Sequence, residues 1–394
     1  MPHASVYPFR DNPLGLHPSK GDRSATCEDR RVQKWLLVRA CALRYNAPSS
    51  LLTALSALMF WTNLAVACAA VAILSWAATL AVLRSLIRFE VYDRPNARSS
   101  HEQARPRGGG LALLPVLLIA WIAAASWLGS PPGFWSVVSS VAVLAGVSWI
   151  DDLKNLPVVQ RLAVQALAVG LGIAAMEGAG PVFQGLLPPL LDRLAAGLLW
   201  LWFVNLFNFM DGIDGIAGVE ASSLGLGLVL VGAVAAWPGI HVALPALLVA
   251  AMLGFLAWNW APAKLFLGDV GSVPLGYLLG WLLLSAAANG AWAAALILPL
   301  YYLADATITL VKRALRGAKF WRAHREHFYQ RAVQGGASHA WVAGQVLACN
   351  VILVILAAVA TGARPWPAVA AAGIAVALLL VVLERRASTA AGSR

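Results

Sequence analysis

The sequence predicts an all-α fold, a polytopic transmembrane helical bundle, and three observations predict it. Of 394 residues, 60% are hydrophobic and only 12% are charged, against about 25% charged in a soluble domain, so most of the surface faces something other than water. Apolar runs of about 20 residues, enough to cross a hydrocarbon core of about 30 Å, recur with no polar stretch long enough to separate globular units. The seventeen Trp, without alternating apolar and polar segments, favour helices over an outer-membrane barrel. A soluble enzyme, a nucleic-acid binder and a disordered scaffold are excluded on this composition. The four cysteines show no CxxC spacing and suggest neither zinc nor a disulfide framework.

In order, the runs place helices at 60–83, 109–128, 135–150, 158–176, 189–206, 218–236, 240–259, 270–288, 290–312, 340–361 and 365–384. That makes about eleven crossings, the third of them short. Loops after the odd-numbered helices carry the charge, and those after the even-numbered ones are short and rich in Gly and Pro, as at Gly129 to Gly133. From residue 60 onward, 19 Lys/Arg fall in or beside the odd loops, while only Arg193 and Arg364 fall on the other face. The positive-inside rule therefore puts the odd loops in the cytoplasm. Residues 1–59 break this rule with eight basic residues on the wrong side, and they lack a signal-peptide pattern. They are expected to be a basic extension, either disordered or the product of a mis-assigned start, with Met59 a candidate initiator. The expected organisation is this extension, one integral-membrane domain over 60–384 and a short cytoplasmic tail over 385–394.

Every carboxylate cluster falls at the cytoplasmic end of a helix, where a water-soluble substrate meets a lipid one. In the first charged loop, Arg98, His101, Arg105 and Arg107 precede Gly108-Gly109-Gly110. This reads as phosphate ligands before a close backbone approach, or as a topology-setting loop before a helix-packing face. Asp151-Asp152 follows helix 3; adjacent carboxylates repel and need a cation or a shared proton, whereas a helix cap needs only one Asp. Asn208, Asp211 and Asp214 are spaced by three and interleaved with glycines. One helical turn would gather their oxygens, and hard oxygen donors without His or Cys suit Mg²⁺, completed by substrate phosphates.

Ahead of helix 8, Lys264, Phe266 and Asp269 supply a cation for phosphate, an aromatic face for a base and a carboxylate between glycines. The long loop after helix 9 carries His324, Arg325 and His327, with Asp305 inside that helix. The basic cluster is dense enough to hold a pyrophosphate, and equally reads as a basic helix on anionic lipid. Asp305 reads as functional or as an interfacial Asp paired with Arg.

Together, Asp151-Asp152, Asn208-x-x-Asp211-Gly-Ile-Asp214-Gly and Phe266-x-Gly-Asp269-x-Gly-Ser resemble the polyprenyl-phosphate N-acetylhexosamine-1-phosphate transferases, glycosyltransferase family 4. The resemblance runs from about residue 60 to about residue 335. The helix count and the loop Asp93-Arg-Pro-Asn-x-Arg-Ser-x-His look more like the O-antigen and teichoic-acid initiating branch than the muramoyl-pentapeptide branch. The resemblance implies transfer of a sugar 1-phosphate from a UDP-N-acetylhexosamine to undecaprenyl phosphate, with release of UMP, at the cytoplasmic face of a bacterial inner membrane. By the same resemblance, Asp269 and Asn208 hold Mg²⁺, or Mn²⁺ in its place, with Asp211 close by. Phe266 stacks on uracil, for which hydrogen bonds are expected around Asp214. Asp151 and Asp152 serve the lipid-phosphate acceptor, Arg161 binds phosphate, and His324, Arg325 and His327 contact sugar and pyrophosphate. Membrane lipids are expected partners, nucleic acid is not, and a homodimer is one open oligomeric state. The sugar, GlcNAc or a 6-deoxy HexNAc such as FucNAc or QuiNAc, stays open. The rival classes are a membrane prenyltransferase with Asp-rich motifs and a secondary transporter, the latter disfavoured because its charges would sit near the bilayer midplane.

Overall fold

The computed structural model describes residues 49–93, 104–318, 324–362 and 365–389. The chain divides into two compact units, Met1–Trp61 and Thr62–Arg394. In the first, the described residues begin a helix, α1 (Ser49–Arg88), that starts before the expected first span at residue 60. Residues 1–48 of the expected extension lie outside the described residues.

Among its described residues, the second unit is built of helices joined by loops, with a two-residue antiparallel pair, β1 (Tyr92–Asp93) and β2 (Arg105–Pro106). There follow α2 (Gly110–Leu128), α3 (Phe134–Lys154), α4 (Val158–Ala175), α5 (Pro189–Met210), α6 (Ile216–Val234), α7 (Gly239–Asn259) and α8 (Asp269–Ala286). Beyond a π turn at Ala287–Ala291 come α9 (Trp292–Ile297), α10 (Leu300–Leu315), α11 (Phe328–Gln334), α12 (His339–Ala360) and α13 (Pro365–Thr389). Among the described residues, ten helices are long and apolar enough to cross a membrane, and the protein is a multi-pass helical membrane protein.

The ninth expected span arrives in two pieces. Gly290 takes φ 88° and reverses the chain after α8. Pro299, which has no N–H to donate, then separates α9 from α10. The far end of α8 lies beside the loop before α5, where Gln184 Nε2 donates to Ala287 O at 2.7 Å. On the return, Tyr302 packs its ring 5.5 Å from Phe207, near the end of α5. Hydropathy sees one apolar run here because a proline breaks the helix without making the run polar.

Two further boundaries differ from expectation, and both move site residues. Helix α3 is full length, so Asp151 and Asp152 ride on its last turn rather than following it. Helix α5 runs to Met210, so Asn208 is helical while Asp211 is the residue that ends the helix. At the other end of the chain, α13 continues to Thr389, into the expected tail.

Helix α8 is the most enclosed, packed by α3, α5 and α2. Trp200 Nε1 on α5 donates to Tyr277 O on α8, and Tyr277 OH donates to Ala168 O on α4, each at 2.9 Å. The starts of α2 and α8 touch through Gly110 and Gly271, where a Cβ on Gly110 would collide with the Gly271 backbone. That contact makes Gly110 part of a helix-packing face. In the interior, Asn350 Nδ2 on α12 donates to Glu220 Oε2 on α6 at 2.8 Å, cross-linking two helices by a buried polar pair.

Candidate active site

Five segments converge at one end of the bundle. The 105–110 segment lies against the loop before α8: the Arg105 guanidinium donates to Ala263 O, Phe266 N to Pro106 O, Gly108 N and Gly109 N to Phe266 O, and Gly110 N to Leu267 O. This zipper aims Arg107 at the start of α8. There its guanidinium bridges Asp269 Oδ1 at 2.5 Å and Asp152 Oδ1 at 2.9 Å. Burial alone would lower the Arg107 pKa, but the carboxylates of Asp269, Asp152, Asp93 and Asp211 raise it, so the cation is held firmly.

The two aspartates ending α3 have separate tasks. Asp152 accepts from the backbone N–H of Asp269 at 3.1 Å and of Val270 at 2.9 Å, capping α8 from another helix. Gly268 makes this possible: its φ is 75°, and its absent Cβ leaves room for Asp152 Oδ2. Asp152, expected to serve the lipid-phosphate acceptor, has both carboxylate oxygens committed to the start of α8. Asp151 accepts from Leu156 N at 2.6 Å and pairs with Arg161 at 2.8 Å, while Arg161 also stands 3.7 Å from Asp269 Oδ2.

Asn208 donates through Nδ2 to Ser272 Oγ at 2.8 Å, leaving the amide oxygen as its remaining metal-type donor. The Asp211 backbone N–H donates to Asn208 O at 3.3 Å, while its carboxylate has no hydrogen-bond or ion-pair partner among the described residues. Burial, joined by the carboxylates of Asp269, Asp152 and Asp214, pushes its pKa up to about 7 against the pull of Arg107. Asp214 does not join this group, contrary to the gathering expected from spacing by three, because the helix ends at Met210. Its carboxylate instead accepts from Ala263 N at 2.9 Å and lies 3.2 Å from His339 Nδ1. Burial would raise it, but these two hydrogen bonds, with the charges of His339 and Arg105, hold it below the usual range. Asp214 thus braces the loop that carries Lys264 and Phe266. Lys264 is exposed, with Nζ 5.2 Å above the Trp258 ring, and Phe266 is half-buried.

Helix α11 closes the fifth side. Asp305 on α10 caps it, accepting from Phe328 N at 3.0 Å and Tyr329 N at 3.3 Å, and its Oδ1 lies 3.2 Å from His327 Nδ1. Among the described residues Asp305 is therefore paired with His327 and not with an Arg. His327 is buried, so it faces the fold rather than an open site. The His324 ring lies 4.9 Å from that of His327, tilted by 31°, and is half-buried, while Arg325 is exposed. Burial and the charges of His327 and Arg313 push the His324 pKa down to about 4, leaving it neutral at pH 7 and a hydrogen-bonding group rather than a cation. Tyr329 OH donates to Phe209 O at 3.1 Å and lies over Gly212, seating α11 beside Asp211. Arg98 and His101 lie outside the described residues.

A cavity of about 330 Å³ opens among α3, α4, α5 and α8. Asp151, Arg161, Asn208 and Asp269 form its charged end. Leu144, Leu162, Leu198 and Trp202 line its apolar length, with Gln165 and Asn205 between, joined by a 2.8 Å hydrogen bond. Sequence reading missed this polar pair and the His339 brace. It set Arg107 among four phosphate-binding candidates without revealing it as the counter-ion of two helices.

The raised Asp211 pKa carries a stability consequence. An unfolded Asp titrates near about 3.9, so between there and about 7 the folded protein holds a proton that the unfolded chain lacks. Stability of protein washed free of divalent cations should fall as pH rises through that window and level off above it. Thermal unfolding at pH 5.5 and pH 8 checks this; Asp211→Asn should remove this group's share of the difference and raise the pH 8 midpoint more than the pH 5.5 midpoint. An unchanged pH 8 midpoint in the variant would reject it.

Residues 134–287 match the model of the family described as Glycosyl transferase family 4. Among curated proteins, the chain is 27% identical over 320 residues to a probable undecaprenyl-phosphate N-acetylglucosaminyl 1-phosphate transferase of Bacillus subtilis, covering 77% of this chain and 86% of the relative. It is 29% identical over 314 residues to a decaprenyl-phosphate N-acetylglucosaminephosphotransferase of Mycolicibacterium smegmatis, covering 68% and 75%. A phospho-N-acetylmuramoyl-pentapeptide-transferase of Acaryochloris marina is 32% identical over 227 residues, covering 51% and 58%. The matched residues hold the α3, α5 and α8 ends built above, and with these relatives they bear out the resemblance to glycosyl transferase family 4 read from the motifs.

Proposed function

We propose that this chain transfers N-acetylhexosamine 1-phosphate from a UDP-sugar to undecaprenyl phosphate at the cytoplasmic face of a bacterial inner membrane, releasing UMP and starting an O-antigen or other envelope glycan. The observation that carries the reading is the cavity, whose apolar length suits a polyprenyl chain and whose charged end suits its phosphate. Arg161, held by Asp151, is the cation placed to receive that phosphate. The relatives' names, undecaprenyl- and decaprenyl-phosphate N-acetylglucosamine transferases, support the same chemistry.

A divalent cation fits the donors present. Asp269 and Asn208 line the cavity, and the carboxylate of Asp211 is unmatched. Four carboxylates, of Asp151, Asp152, Asp211 and Asp269, face two guanidiniums. Among the described residues no three His, Cys, Asp or Glu are grouped to hold a metal unaided, which suits Mg²⁺ completed by substrate phosphates and waters. Asn208, Asp211 and Asp269 would hold it, and when bound it would neutralise charge on the donor pyrophosphate. The chain's own part is positional: Arg107 and the Asp152 cap fix the start of α8, Arg161 orients the acceptor, and the 263–268 loop presents Phe266 to the base. His324 and Arg325 stand at the donor side on the segment seated against Asp211.

Membranes containing the protein, given undecaprenyl phosphate and a panel of UDP-N-acetylhexosamines, should release UMP with at least one donor. Release of inorganic pyrophosphate from a prenyl diphosphate instead would favour the prenyltransferase reading. The sidedness is checked in intact cells with a membrane-impermeant thiol reagent. Ser130→Cys should label and His324→Cys should not, and the reverse pattern would move the active site to the other face.

A further inference from the structure

A second cleft, of about 420 Å³, lies outside the candidate active site, between the last turns of α10 and the face of α11 that points away from Asp211. On α11, Tyr329 and Gln330 face Phe209 and Gly212, whereas Phe328 and Arg331, one turn apart, line this cleft. From α10 come Thr309, Lys312 and Leu315, with Arg316 just past its end.

Its charge is unbalanced. Lys312, Arg313, Arg316 and Arg331 gather there, against the carboxylates of Glu326, shared by Arg313 and Arg316, and of Glu384, which takes Arg331. Lys312 has no carboxylate partner among the described residues; its Nζ lies 4.9 Å above the Phe328 ring, and Arg331 flanks that ring at 4.8 Å. The Nε–H of Arg331 is buried with no acceptor. Unmatched donors beside unmatched positive charge call for an anion with several oxygens.

The location says where that anion comes from. Ile308, Val311 and Leu315 are exposed at helical spacing on α10, and Lys312 and Arg316 share that face. On a helix set in a bilayer such a stripe faces acyl chains, and basic residues capping it stand at headgroup level. We infer that the α10–α11 cleft binds the phosphate headgroup of an anionic bilayer lipid. The same α10 carries Asp305, which caps α11, so a bound lipid would brace the helix seated beside Asp211.

Binding is read on the full-length protein in detergent, titrated with phosphatidylglycerol or phosphatidylcholine and observed by native mass spectrometry, which needs no transfer activity. Phosphatidylglycerol should be retained over phosphatidylcholine. Lys312→Gln and Arg316→Gln should each weaken its retention about fivefold. Glu326→Gln, which removes a carboxylate from the cleft, should strengthen it, a change that misfolding cannot mimic. Equal retention by wild type and all three variants would overturn the inference. So would displacement of the lipid by inorganic phosphate or UMP, which would assign the cleft to a soluble anion.

Discussion

Asp269→Asn is expected to abolish transfer, lowering the rate at least about 10²- to 10³-fold, the usual cost of losing one group that stabilises transition-state charge. Asp269 opens α8, lines the cavity and contacts both guanidiniums of the site. Asn keeps the shape and the backbone N–H that Asp152 caps, so the helix start survives. What disappears is the negative charge on which the proposed Mg²⁺ site depends. EDTA should therefore silence the wild type, Mg²⁺ or Mn²⁺ should restore it, and excess metal should not rescue the variant. UMP release and thermal unfolding are measured on the same preparation. A variant that folds normally and works within tenfold of wild type would remove Asp269 from the metal site.

Much of this site was legible in sequence because its parts are local. A run of apolar residues names a span, and Asp151, Asn208 and Asp269 each end or begin one, so their shared depth follows from topology alone. The rest was hidden because it depends on partners far apart in the chain. Asp152 and Asp269 are separated by 117 residues, and no spacing shows that one caps the helix of the other. Asp214 looked like a third member of the Asn208 and Asp211 set until the helix ended at Met210 and His339, 125 residues away, claimed it. His327 looked like a ligand, but Asp305 turns it inward. In each case an element end or a distant partner redirected a side chain that local periodicity had placed elsewhere.

Arg107 is the clearest such residue, and the second large effect is expected there. One guanidinium holds two carboxylates from two helices, Asp152 on α3 and Asp269 on α8, and the 105–110 zipper fixes its approach. Arg107→Gln would leave those carboxylates facing each other, with Asp211 nearby and only Arg161 to answer them. Breaking a fully buried pair costs about 3–5 kcal/mol. With the Arg107 side chain 32% exposed, about 1–3 kcal/mol is the reasonable loss after solvent screening. Activity should fall more than 100-fold, because Asp269 would no longer be held in register with the cavity. Arg107→Lys tests geometry apart from charge: an ammonium keeps the charge but lacks the planar fork that reaches both oxygens, so it should recover stability more than activity. Adding Asp152→Asn to Arg107→Gln should restore part of the lost stability, since the repelling charge goes with its partner, and the coupling between the two changes measures the pair directly. Wild-type rate and midpoint in Arg107→Lys would mean that any cation suffices there, and the bridging role would fall.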